Sequence, residues 1–274
     1  MKIRVGHSPD ADDAFMFYAL AHRKIDTGNM EFEHILKDIE TLNRWALEKR
    51  LEVTALSVHT YAYVSRDYAL LPHGASIGDQ YGPIVVTNKP MSMEDLKEKK
   101  FAVPGELTTA FLSLCLCMKK FNYEVVPFDQ IFNAVKSGKV DAGLIIHEGQ
   151  LTFEQEGFYK ALDLGEWWYA QTGLPLPLGV NAVRKDLGES TCTRISNYLR
   201  QSINYGLEHR NDALDYAMKY ARNADEKLAD RFVGMYVNHY TQDFGERGRL
   251  AVQTLLQKSY EAGITPEPVL EFVS

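Results

Sequence analysis

Short apolar runs alternate with amphipathic stretches through the first half of the chain, and this alternation restricts the architecture more than any other feature of the sequence. Residues 3–5 (Ile-Arg-Val) precede an amphipathic stretch at 14–22, 30–36 precedes 39–47, and 53–56 precedes 58–64. Runs of strand length followed by stretches of helical period give each strand a covering layer. The rhythm is that of βαβ units on a largely parallel sheet, an α/β fold. Pro83-Ile84-Val85-Val86-Thr87 reads as a buried strand, and Asn88-Lys89-Pro90 breaks it.

A second block repeats the alternation on a smaller scale. Phe101-Ala102-Val103 is read as a strand, 108–119 as a helix, Glu124-Val125-Val126 as a strand, 128–136 as a helix and 140–146 as another buried strand. A strand at 180–184 leads out of this block, and from Ser190 onward the pattern is almost purely helical, a cap of three or four helices. Two lobes follow: a large discontinuous α/β domain from 1–89 and 180–274, and a small α/β domain inserted at 90–179. The cleft between such lobes is the expected ligand site. A single continuous doubly wound sheet is the alternative topology.

Composition narrows the function classes. With 274 residues, 45% of them hydrophobic and 24% charged, the chain holds enough apolar material for a sizeable core, which excludes a disordered chain. A net charge of −7 and the lack of a basic run disfavour nucleic acid as a partner. The opening MKIRVGHSPDADDAF places charges where a secretory segment needs an apolar run, so a cytoplasmic location is expected. Nor does any uncharged apolar stretch reach the roughly 18 residues of a membrane span. Cys115, Cys117 and Cys192 lack metal-site spacing and read as reduced thiols.

Chemistry concentrates where strands give way to helices. His147 follows the apolar run Leu144-Ile145-Ile146, and an imidazole there can act as a base near neutral pH; Glu148 would face the other way if the extended backbone continued. Thr108 and Thr109 follow the strand ending at Val103 and open a helix, whose first amides and hydroxyls suit a carboxylate or phosphate. His7 ends the first strand, and the acids Asp10, Asp12 and Asp13 or the hydroxyl of Ser8 are placed to cap the helix after it. Ser57 occupies a third such junction. The loop 74–83 is glycine-spaced but carries no nucleotide-binding pattern. Trp167 and Trp168 read as packing, Leu176 to Gly179 as pocket lining.

Taken together, Ser8-Pro9 through Asp13-Ala14-Phe15, Asp38-Ile39-Glu40-Thr41-Leu42-Asn43, Gly105 to Ala110, Gly143 to Glu148, and Leu164-Gly165-Glu166-Trp167-Trp168 to Gly179 resemble the 1,4-dihydroxy-6-naphthoate synthases of the futalosine route to menaquinone. The resemblance runs from about residue 3 to about 250. It implies a fold similar to type II periplasmic binding proteins and a carbon–carbon lyase acting on cyclic dehypoxanthine futalosine without metal or organic cofactor. It also implies that His147 is the catalytic base and that Ser57, Thr108 and Thr109 contact an anionic small-molecule substrate. Further contacts are implied at Ala55, Leu56, Asp38, Asn43 and Leu176. This chain carries Ala55 where the family commonly has lysine, and Ala11-Asp12-Asp13 where Pro-Asn-Asp is common. A non-catalytic binding protein of the same fold and a paralogue similar to chorismate dehydratase are the alternatives. The C-terminal helices offer apolar surface on which two copies could pair as a homodimer.

Overall fold

In the computed structural model, which describes residues 1–219 and 226–274, the strand run that opens the sequence becomes β1, Lys2–His7, with Ile3 and Val5 buried. It pairs in parallel with β2, Glu31–Leu36, on one side and with β3, Val53–Ser57, on the other. Two short strands follow, β4 at Tyr68–Leu70 and β5 at Ser76–Gly78. Every residue of β3 is buried, as the run Val-Thr-Ala-Leu-Ser in a sheet covered on both faces requires.

The chain divides into two compact units, the first made of Met1–Ile77 and Pro177–Ser274, the second of Gly78–Leu176. Strands β6 (Ile84–Thr87), β7 (Lys100–Val103), β8 (Asn122–Val125), β9 (Ala142–Ile145) and β10 (Tyr159–Asp163) form the second unit's sheet, in the order β10-β6-β9-β7-β8. The sequence reading left 84–87 with the first lobe; β6 instead hydrogen-bonds antiparallel to β9 and β10. A four-residue apolar run fits the interior of either sheet, and only its distant partners decide which.

The chain returns as β11, Leu176–Arg184, and completes a sheet of order β2-β1-β3-β11-β4, with β5 also paired to β11. The expected largely parallel sheets are mixed. β11 runs antiparallel to both β3 and β4, and the period-2 pattern of a strand carries no record of direction.

The helix Ala11–Ala21 is buried from Ala11 to Leu20. Its sequence is apolar on every side after the first turn, so it needs cover all round. The helices Glu189–Glu208, Arg210–Ala217 and Glu226–Tyr236 supply it, through Ile195, Leu199, Ile203, Leu214 and Val233. Ser202 ties the layers by accepting from Leu20 N–H (3.3 Å) and donating to the Met16 carbonyl (2.7 Å). With His239–Gln242 and Gly245–Glu261, the described residues hold five helices after 188, against three or four expected. The part of the predicted helical region at 220–225 lies outside the described residues.

In the second unit, Ile84, Val86, Ala102, Ile131, Val135 and Ile145 form the core. Gly165 is required where it stands, because a Cβ there would come within 2.0 Å of the Tyr81 backbone. It opens the helix Leu164–Thr172, which Gly173 ends in the left-handed conformation at φ +69°.

Candidate functional site

Four strand-to-helix junctions carry the candidate residues, two in each unit. At the end of β1 the imidazole of His7 is fully buried and stacked on Phe17, ring centroids 4.5 Å apart. Its Nδ1 lies 3.0 Å from the Ser8 carbonyl, an acceptor, so Nδ1 carries the proton and Nε2 accepts from His34 Nδ1 at 3.1 Å. Burial and then the neighbouring His34 hold the His7 pKa down at about 3; His34, beside β1 on β2, is held at about 4 by burial and His22. Both ring nitrogens of His7 serve the interior. Asp10 stands at the N-cap of Ala11–Ala21 but accepts the Ser8 hydroxyl (2.9 Å) and makes no side-chain cap bond, contrary to the capping expected of it. Asp13 accepts Ser8 N–H at 2.7 Å, and burial raises its pKa to about 6. Asp12 receives the Ser76 hydroxyl at 3.1 Å and is raised well above the usual range by burial and then by Asp13.

At the end of β3, Ser57 is held by Asn43: Ser57 N–H donates to Asn43 Oδ1 at 2.8 Å, and Asn43 Nδ2 donates to Ser57 Oγ at 3.0 Å. Asn43 comes from the helix Ile39–Leu47, whose N-cap, Asp38, accepts from Thr41 N–H (3.0 Å) and from the Thr41 hydroxyl (2.6 Å). Asp38 therefore has a capping role. Ala55 packs against Leu42 and Leu51, and Leu56 is wholly buried, so their side chains belong to the core.

In the second unit, Thr108 precedes the helix Thr109–Met118 as its N-cap. Its Oγ1 accepts from Phe111 N–H at 3.1 Å and donates to the Gly105 carbonyl at 2.9 Å. Both threonines are buried to 2% exposure. Beyond β9, His147 Nδ1 accepts Gly149 N–H at 3.0 Å, and Phe128 and Phe132 meet the ring edge-on with centroids 5.7 and 6.0 Å away. The extended backbone does not continue to Glu148, which turns helical (φ −52°, ψ −19°) ahead of Gly149–Thr152. The Glu148 carboxylate therefore lies not on the opposite side but 4.0 Å from His147 Nδ1. The glycine after Glu148 was the available signal for that turn.

Leu176 is completely buried and Trp168 nearly so, with Trp168 Nε1 donating to the Pro175 carbonyl at 3.0 Å. Both side chains pack in the interior. Burial pushes the Cys115 thiol up to about 12 and Cys117 to about 11. Among the described residues, no group of three or more His, Cys, Asp or Glu side chains could hold a metal ion, and no helix is long and apolar enough to cross a membrane.

Two units of mixed sheet with helical cover, joined at 77–78 and 176–177, define the α/β fold of the periplasmic binding proteins. An alkanesulfonate-binding protein of Xanthomonas axonopodis pv. citri shares it with TM-score 0.75 at 12% identity, over 98% of this chain and 96% of that one. The family model described as "Menaquinone biosynthesis" matches residues 3–261, and the chain belongs to that family. It is 40% identical to a 1,4-dihydroxy-6-naphthoate synthase of Thermus thermophilus over 99% of both chains. A protein of the same name from Streptomyces coelicolor is 36% identical, over 96% of this chain and 95% of its own. A crystal structure from Archaeoglobus fulgidus matches with TM-score 0.92 at 48% identity, covering 96% of this chain and 98% of that one.

Proposed function

We propose that this chain is a cytoplasmic carbon–carbon lyase that converts cyclic dehypoxanthine futalosine to 1,4-dihydroxy-6-naphthoate. The observation that carries the reading is the 40% identity to a synthase of that product over 99% of both chains. His147 is the base in this reading. It removes a proton from a hydroxyl of the sugar-derived part, the oxygen's electron pair forms a carbonyl, and the adjacent carbon–carbon bond breaks with its electrons passing to the bicyclic ring. Aromatisation of that ring supplies driving force.

The Gly149 N–H bond holds His147 with its neutral proton on Nε2. Base action at Nε2 needs the other tautomer, whose Nδ1–H the buried Glu148 carboxylate, 4.0 Å away, is close enough to receive after a small shift. The first amides of Thr109–Met118 favour an anionic group of the substrate, and the Ser57 hydroxyl is a donor to an oxygen acceptor.

Purified protein incubated with cyclic dehypoxanthine futalosine and no added cofactor is expected to form the naphthoate, followed by chromatography and absorbance. Tight binding without product would favour the second reading, a binding protein, for which the fold shared with an alkanesulfonate-binding protein speaks.

A further inference from the structure

Ser57 is the last residue of β3 and the N-cap of the helix Val58–Val64, a position where a serine hydroxyl ordinarily folds back onto the amides of the first turn. It makes no such cap bond. Its two bonds to Asn43 instead determine what the hydroxyl can do. A backbone N–H only donates, so the amide group facing Ser57 N at 2.8 Å must be the Asn43 oxygen. The Asn43 nitrogen therefore faces Ser57 Oγ at 3.0 Å, and an amide nitrogen also only donates. Ser57 Oγ is thus an acceptor on the Asn43 side, and its single proton is turned away from Asn43. Asn43 is completely buried on a helix whose first turn Asp38 pins twice, so the arrangement is stiff.

We infer that Asn43 is a positioning residue that turns the Ser57 hydroxyl proton toward the bound molecule. The inference rests on the reading that Ser57 touches the substrate. Under it, the ligand atom that takes the Ser57 proton is an acceptor such as a carboxylate or carbonyl oxygen, and a group that can only donate leaves that proton unmatched. Asn43 then acts on specificity without contacting the ligand, which changes the contact role that the sequence resemblance implies for it.

Asn43→Asp reverses the polarity at unchanged shape. One carboxylate oxygen still accepts Ser57 N–H, but the other now accepts the Ser57 proton, and the outward donor is lost. When that Asp is protonated its O–H donates to Ser57 Oγ and the donor returns. The expected result is a KM raised roughly 10- to 100-fold near neutral pH, the loss of one hydrogen bond to a charged acceptor, with kcat changed less. The ratio of variant to wild-type KM then shrinks as pH falls, and burial moves this recovery above the usual carboxylate range.

Ser57→Ala gives a similar loss at every pH, and the double variant is no worse than Ser57→Ala. A KM ratio for Asn43→Asp that stays near one, or that is raised but independent of pH, overturns the inference. An unchanged KM in Ser57→Ala removes the contact reading itself and the inference with it; a raised KM there with a wild-type Asn43→Asp removes only the role of Asn43. If Asn43→Asp does not fold, Asn43→Ala frees the hydroxyl to rotate, and a KM raised a few-fold, less than in Ser57→Ala and without pH dependence, is expected. A wild-type KM in that variant overturns the inference.

Discussion

Ser57 and Thr108 are each the N-cap of a helix that follows a buried strand, one in each unit, Ser57 as the last residue of β3 and Thr108 five residues beyond Val103. Thr108 behaves as its sequence position suggests: Oγ1 accepts Phe111 N–H and donates to the Gly105 carbonyl, so the cap uses the hydroxyl on both sides. Ser57 makes no cap bond, and its oxygen accepts from Asn43 instead. The same chemical group at the same kind of junction caps its own helix in one unit and accepts from a remote side-chain amide in the other. The difference lies in a side chain 14 residues away in sequence.

The contrast can be tested by substitution. The largest effect is expected at the junction after β9, where neither hydroxyl is involved. His147→Ala should lower turnover of cyclic dehypoxanthine futalosine by roughly two orders of magnitude or more with an unchanged circular dichroism spectrum, as for loss of a general base. Unchanged turnover would remove His147 from the chemistry.

Ser57→Ala and Thr108→Ala should then differ in their effect on binding. Ser57→Ala is expected to raise KM about 10- to 100-fold, and because it removes the acceptor of the buried Asn43 Nδ2 bond it also costs about 1–3 kcal/mol of stability in urea. Thr108→Ala should cost about 1 kcal/mol of stability through the lost cap, with Thr108→Ser recovering most of it. If Thr108→Ala raises KM as much as Ser57→Ala does, the two hydroxyls are equivalent and the comparison fails.

The smallest net effect belongs to the β1 junction, where the lowered imidazoles His7 and His34 oppose the raised carboxylates Asp12 and Asp13. His7 is held at about 3, below its ordinary 6.5, so its contribution is present above 6.5 and is lost as pH falls toward 3. Asp13 is raised from 3.8 to about 6, so its contribution is present below 3.8 and is lost as pH rises through 6. In wild type the contributions of opposite sign partly cancel between about pH 4 and 6. Asp13→Asn, which keeps an oxygen for Ser8 N–H, should be more stable than wild type at pH 7 and more sensitive to acid. Chemical denaturation at the two pH values reads both signs.

Much of the fold was legible because alternation of apolar runs with helical periods is a local signal. Strand β3, the helix Ile39–Leu47 and the helix Thr109–Met118 all lie within a residue or two of where patterning puts them. Strand β6 was legible as a strand but not as a member of the second sheet, since its partners β9 and β10 lie some 55 to 80 residues on. At the candidate site, the exit of His147 from an apolar run was plain, whereas the turn that brings Glu148 toward its Nδ1 depended on helical backbone at Glu148. The His7–His34 pair spans 27 residues and left no mark in either segment.

By itself, the sequence determined which segments are strands and helices and which polar residues stand at their junctions, because period, apolar content and helix-start chemistry are properties of neighbouring residues. Only the tertiary structure decided what those polar residues do. Whether a hydroxyl caps its own helix or accepts from a remote amide, and which nitrogen of an imidazole holds the proton, depends on donors and acceptors brought together from remote parts of the chain. A donor's direction is settled by the nearest acceptor in space, and proximity in space is what the fold creates.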